Sequence, residues 1–223
     1  MKKFSGAVVT VPIAPPAAAT RNAQVTAKRG MVASAHALAS QAGLEMLKAG
    51  GNAVDAAVAA AFAIGVVEPN ASGIGGEGLM VIHLATTGRT VAIDYRSAAP
   101  ASVDYPDGVP DSGHAAVAIP GTVAGLAATL QKYGTMPLSR VLAPAIRLAE
   151  QGFVVSPTLA GIIIDNFDAI RANGPLARLL CPGGLPLEAG DTLKNPDLGA
   201  SLRAIAEGGP DVFYRGAIAA AIA

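Results

Sequence analysis

The sequence predicts an α+β fold, mostly helical, with a single β-hairpin in its first half. Three observations carry this expectation. Apolar residues recur at helical spacing in several segments punctuated by Gly and Pro. Two β-like runs, LMVIHLA and TVAIDY, flank a turn at Gly88. The first of these runs is entered from a long helical segment, and helical character returns after the second.

In chain order, residues 1–30 read as a flexible Pro/Ala-rich arm without periodicity, and order is expected from residue 31 onward. The start MKKFSGAVVTVPIAPPAAAT faintly resembles a signal peptide, but Pro12, Pro15 and Pro16 interrupt its apolar run. So poor a signal favours the cytoplasm over the periplasm. Over residues 36–48, Leu38, Ala42, Leu44, Met46 and Leu47 make one helical face, and Gly50 with Gly51 supplies the stop. Asn52 then offers an N-cap, with Asp55 three positions on as an imperfect capping box. The helix expected over 53–67 is apolar nearly all round, which suits a position between layers. It is too short for a bilayer span and carries Asp55, so it reads as a core helix. Asp55 and Glu68, near its two ends, are expected to be paired or capping.

Glu68 and Pro69 end that helix, SGIGGEGLM follows, and the hairpin comes next. Helices are then expected over 121–133, 138–151, 157–172, 196–207 and from 214 to the end, several of them opened by Pro, Ser or Asn. The last one stops at Ala223 without a capping glycine or polar tail. One hairpin also makes no stable sheet by itself. An incomplete chain that needs a partner segment is therefore expected.

Composition excludes several classes. The 16 basic and 16 acidic residues cancel, which leaves no electrostatic footprint for nucleic acid. The one cysteine, Cys181, excludes an internal disulfide framework and a thiolate zinc site, and reads as a packed side chain. His36, His83 and His114 are scattered without metal-ligand spacing, so no metal and no cofactor are expected.

Ser72 to Met80 spell G-x-G-x-x-G through Gly73, Gly75 and Gly78, the written form of a dinucleotide fingerprint. That fingerprint requires a strand before the glycines and a helix after them, whose N–H groups receive the pyrophosphate. Here the order is reversed. Glu77 would also set a carboxylate against the phosphates. The glycines are expected instead to supply positive φ or close backbone approach as the chain turns against the sheet, with Glu77 pointing outward or toward a partner.

Five segments in sequence carry a more specific signal: GMVASAHALASQAGLEMLKAGGNAVDAAVAAAFAIGVVEPNASGIGGEGLM, AIDYRSAAP, AVAIPGTVAGL, KYGTMPLSRVLAPAIRLAEQGFVVS and NPDLGASLRAIAEGGPDVFYRG. Together, from about Gly30 to the end, they resemble the large subunit of the gamma-glutamyltransferase family, an N-terminal-nucleophile hydrolase family. The resemblance implies an αββα sandwich, to which residues 31–223 supply a helix-rich part with a hairpin and which a small subunit completes. It further implies a precursor that cuts itself and exposes an N-terminal threonine on the small subunit. That threonine is the nucleophile, its own α-amino group can serve as base, and it lies outside this chain. No residue of this chain is then catalytic, and the chain alone is expected to be inactive.

The resemblance aligns Arg96, in DYRSAAP, with the family arginine that binds the substrate α-carboxylate. A planar, permanently charged guanidinium suits that task. Asp94, two residues earlier on the same strand face, is a candidate to orient it. The family pattern carries a glutamate and a larger residue where this chain has Ser97 and Ala98, and a proline where it has Ala37. His36 is read as capping or packing. The implied substrate is a gamma-glutamyl compound such as glutathione, hydrolysed or transferred. The alternatives are an amidohydrolase or cephalosporin acylase with another carboxylate-bearing donor, and a non-catalytic truncated homologue.

Overall fold

The computed structural model describes residues 26–101, 108–111 and 113–222. Most of the arm expected over 1–30, including the signal-like start, lies outside the described residues. The chain is α+β, as expected: ten α-helices and two small antiparallel sheets are seen among the described residues.

Helix α1 (Ala37–Lys48) is capped by His36, whose Nδ1 accepts from the Leu38 N–H at 3.2 Å and whose ring meets Phe153 edge-on. Its buried face is Ala39, Ala42, Gly43 and Met46, while Leu44 is exposed. The expected face was therefore rotated slightly: small residues, not Leu44, let α1 lie close to its neighbour. A Cβ on Gly43 would stand 2.8 Å from the Ala56 carbonyl oxygen of that neighbour, so only glycine fits.

That neighbour, α2 (Ala53–Val67), is the central helix, with ten of its fifteen residues buried. The capping box is complete, and Asn52 and Asp55 reach further than their own helix. Asn52 Nδ2 donates to the Tyr133 carbonyl at 2.7 Å. The fully buried Asp55 carboxylate accepts from the N–H groups of Asn52, Thr135 and Met136 and from the Thr135 hydroxyl. Burial pushes its pKa up, but these hydrogen bonds outweigh that and hold it below the ordinary aspartate value.

β1 (Leu79–Leu84) and β2 (Arg89–Asp94) form the expected hairpin, in register from Leu79 opposite Asp94 to Leu84 opposite Arg89. Gly88 takes the positive φ of 66° that its turn requires. Met80, Ile82, Val91 and Ile93 lie on the partly buried face, and Met80 and Ile82 pack on the core. Leu79 and Val81 point away and are 65% and 72% exposed.

Helices α3 (Thr122–Tyr133) and α4 (Leu138–Gln151) follow as the sequence predicts. β3 (Phe153–Val154) comes next. The single helix expected over 157–172 is two: α5 (Pro157–Asp165) and α6 (Phe167–Ala172). Between them the Asn166 side chain donates to the Ile162 carbonyl at 2.9 Å, competing with the backbone where the helix would continue. α7 (Gly174–Leu180), opened by Asn173 and Pro175, was not expected, nor was β4 (Thr192–Leu193), which pairs with β3. α8 (Pro196–Gly208) lies along α4. The terminal helix expected from 214 begins later, at α10 (Ala217–Ile222), after a short α9 (Asp211–Tyr214). No helix among the described residues is long and apolar enough to cross a membrane.

Candidate functional site

SGIGGEGLM leads from α2 into β1, with the helix before it and the strand after it. None of its glycines has positive φ. Close approach at Gly73 and Gly78 is what the loop provides, while Gly75 stands in open space. Gly73 lies where a Cβ on Gly65 of α2 would come within 3.1 Å of its Cα, and a Cβ on Gly78 would stand 2.7 Å from the Tyr95 ring. Gly76 turns its carbonyl oxygen toward α3 and accepts from the Gly121 and Thr122 N–H groups, both at 3.1 Å. The helix N-terminus nearest this loop is thus filled by a backbone carbonyl. No side chain caps it. That polarity is opposite to a phosphate cradle, in which loop N–H groups face an anion.

The same contacts fix the end of β2. The Tyr95 N–H donates to the Gly78 carbonyl at 3.1 Å, continuing the ladder past Asp94. Tyr95 is clamped between Gly78, Gly121 and Gly125. A Cβ on Gly121 would lie 2.0 Å from the Tyr95 carbonyl oxygen, and one on Gly125 would lie 2.1 Å from the Tyr95 Cβ. Burial of the ring raises the Tyr95 pKa. Just beyond Ser97, Ala98 pairs with Ile119 through two backbone hydrogen bonds, bringing the chain back to α3. At the start of α3, the Tyr214 hydroxyl donates to the Pro120 carbonyl at 2.8 Å and accepts from the Ala124 N–H.

On this rigid base stand four exposed or part-exposed polar side chains, Glu77, Asp94, Arg96 and Ser97, lining one open depression. Asp94 and Arg96 are brought together as the sequence suggests. Asp94 accepts from Nε of Arg96 at 3.1 and 3.2 Å and from Nη2 at 2.8 Å, and it also caps the Arg96 backbone N–H at 3.0 Å. These bonds take the Nε side of the guanidinium fork. Nη1 makes no hydrogen bond among the described residues, and Arg96 lines the depression. The Arg96 hydrogen bond holds the Asp94 pKa at about 2 and raises that of Arg96 in return. The pair is exposed, so its worth is orientation more than stability.

Glu77 is exposed, as expected, but it does not simply point away. Its Oε2 accepts from the Ser97 N–H at 2.7 Å and from the Ser97 hydroxyl at 2.5 Å. The Ser97 hydroxyl first, then the Ser97 N–H, lower its pKa, with a smaller contribution from Arg96. Sequence reasoning took Ser97 only as a departure from a family pattern and missed this partnership. Hairpin register would have found it: Leu79 opposite Asp94 sets Glu77 opposite Arg96, one residue from Ser97.

The remaining candidates lie elsewhere. His83 pairs across the hairpin with the Thr90 hydroxyl, Cys181 is buried, and Glu68 is the C-cap residue of α2. Among the described residues no cluster of His, Cys, Asp and Glu could hold a metal ion.

Comparison with known proteins gives a consistent set of matches. A family model described as gamma-glutamyltranspeptidase matches residues 39–223. The chain is 46% identical over 210 residues to a glutathione hydrolase proenzyme of Escherichia coli (strain K12), covering 89% of this chain and 36% of that protein. It is 45% identical over 213 residues to the acylase ACY 1 proenzyme of Pseudomonas sp. (strain V22), covering 88% of this chain and 38% of that one. Its structure matches that of Helicobacter pylori gamma-glutamyltranspeptidase with a TM-score of 0.83 at 38% identity, covering 89% of this chain and 60% of the other. The chain spans well under half the length of the curated relatives it matches.

Proposed function

The chain belongs to the gamma-glutamyltranspeptidase family, among the N-terminal-nucleophile hydrolases, and from that premise we propose that it forms the carboxylate-anchoring part of an enzyme acting on gamma-glutamyl amides. The nucleophile in this reading is an N-terminal threonine supplied from outside these residues. Its hydroxyl oxygen attacks the amide carbonyl carbon, an ester bond forms, and the C–N bond breaks. The threonine's own α-amino group takes the hydroxyl proton and passes it to the departing amine. Water or an acceptor amine then breaks the ester and carries off the acyl group, and the proton returns to the threonine oxygen.

This chain's residues bind and orient. Arg96 holds the donor's carboxylate through the side of its fork that Asp94 leaves open, and Asp94 acts as a positioning residue that fixes the plane of the guanidinium. The observation that carries the reading is that half-used fork: a charged, exposed Arg96, held by two oxygens of Asp94, lining an open depression. An acylase reading, with another carboxylate-bearing donor, draws on the near-equal identities to a glutathione hydrolase and an acylase and on Ser97 at the rim. Arg96 serves either donor in the same way.

The test is kinetic. With the threonine-bearing subunit present, a gamma-glutamyl anilide should be turned over, and Arg96→Ala should raise KM on the order of tenfold or more by leaving the carboxylate unpaired. Unchanged KM in that variant would remove Arg96 from the site.

A further inference from the structure

The backbone of Tyr95 and Arg96 lies against the first turn of α3, a turn that carries no cap of its own. A helix usually caps its N-terminus with a Ser, Thr, Asn or Asp side chain that accepts from the second or third backbone N–H. At Gly121 no such side chain fits, because a Cβ there would lie 2.0 Å from the Tyr95 carbonyl oxygen and 3.1 Å from that of Arg96. The acceptor comes instead from α9. The Tyr214 hydroxyl accepts from the Ala124 N–H, the third of the helix, at 3.1 Å and donates to the Pro120 carbonyl at 2.8 Å. One oxygen thus clasps the turn at both ends, across 90 and 94 positions of sequence. The ring carrying it meets the buried Phe213 edge-on. Burial raises the Tyr214 pKa against a smaller opposing effect of the Ala124 N–H, so the hydroxyl keeps the proton that bonds Pro120.

We infer that Tyr214 is a positioning residue for the carboxylate anchor: its hydroxyl fixes the turn over residues 120–124, and that turn sets where the end of β2 places Arg96. The inference rests on the reading of Arg96 as carboxylate anchor. The turn meets the rim at three further points. The Gly121 and Thr122 N–H groups hold the Gly76 carbonyl of the glycine loop, Gly125 packs on the Tyr95 side chain, and Ile119, just before Pro120, pairs with Ala98. Asp94 fixes the guanidinium relative to its own strand, whereas Tyr214 fixes the bed of that strand's end. Without the hydroxyl, the Ala124 N–H and the Pro120 carbonyl lose their partner and the turn is released. A displacement of about 1 Å transmitted from outside a site can already weaken what the site holds.

Tyr214→Phe keeps the ring, and with it the packing on Phe213, and removes only the hydroxyl. The readout is KM, which does not depend on the fraction of enzyme that is folded. In the complex with the threonine-bearing subunit, well below the variant's melting temperature, KM for gamma-glutamyl-p-nitroanilide should rise on the order of threefold to tenfold. kcat should change less than about twofold, since the anchor holds the carboxylate alike in the ground and transition states. Added to Arg96→Ala, the same substitution should raise KM no further, because a residue that acts through the anchor has no effect once the anchor is gone. While Arg96→Ala alone still raises KM, three results overturn the inference: a lowered melting temperature with KM unchanged, a loss confined to kcat, or effects that add in the double variant. Kinetics indifferent to Arg96→Ala overturn the anchor itself, and no turnover by the unsubstituted complex overturns the function and this inference together.

Discussion

The Thr135 hydroxyl donates to the Asp55 carboxylate at 2.6 Å across 80 positions of sequence. With the Thr135 and Met136 N–H groups on the other oxygen, this bond ties the first turn of α2 to the connection between α3 and α4. Asp55 is fully buried and every lone pair in use faces a donor, so the ionised form is the stable one there.

Asp55→Ala should therefore cost about 3 kcal/mol, the order expected when a buried charge-assisted network loses its acceptor. The pH dependence has a defined sign. The folded pKa lies below the unfolded one, so the contribution is complete above the ordinary aspartate value near ~3.9 and is lost as pH falls through the folded value. Urea unfolding at pH 7 and pH 3 should show the gap between the parent and Asp55→Asn narrowing on the acid side. A gap that widens there would contradict the assignment.

The glycines of SGIGGEGLM should differ sharply in tolerance. A Cβ on Gly75 meets nothing within 4 Å, and its φ is not positive, so Gly75→Ala should change stability by less than about 0.5 kcal/mol. A Cβ on Gly78 would overlap the Tyr95 ring at 2.7 Å, and Gly78→Ala should cost about 1–3 kcal/mol. Thermal melts of the two variants decide it; equal effects would mean that close approach is not what the loop needs.

Asp94 should remain charged, and Arg96 aimed, across the whole working range, because the Asp94 pKa lies at about 2. Its folded value is depressed, so the contact is present above the ordinary aspartate pKa and fades only as pH drops toward about 2. KM for an anionic donor should accordingly show no rise from pH 7 to pH 5 that Asp94→Asn abolishes. The variant should raise KM at every pH tested while changing kcat little. A loss confined to kcat would point to a different role.

Much of this was legible in local sequence. The cap at Asn52, the turn at Gly88 and the pairing of Asp94 with Arg96 all depend on residues within a few positions of one another, where residue type and spacing carry the physics. What was hidden depends on long-range placement. Glu77 meets Ser97 only because the hairpin register runs past its last named pair, and Asp55 reaches Thr135 only because α3 folds back over α2. The break at Asn166 was hidden differently: its side chain takes a backbone carbonyl within an otherwise helical pattern. The two-residue strands β3 and β4 carry no periodicity to read.

The β3–β4 pair closes a long excursion at its base. Backbone hydrogen bonds join Val155 to Asp191 and Gly190, and the Asn195 N–H reaches the Ala149 carbonyl at the end of α4. Between these ties α5, α6 and α7 pack largely in series on one another. The excursion is also held from within, because Leu159, Ala160, Ile163, Ile170 and Leu187 belong to the same buried core as α2 and α4, whereas closing a loop depends only weakly on its length. Its exposed connections can therefore change in length at small cost, while its buried residues answer to the shared core. The rim at Arg96 stands on β2, the glycine loop and the start of α3, outside the excursion in the chain.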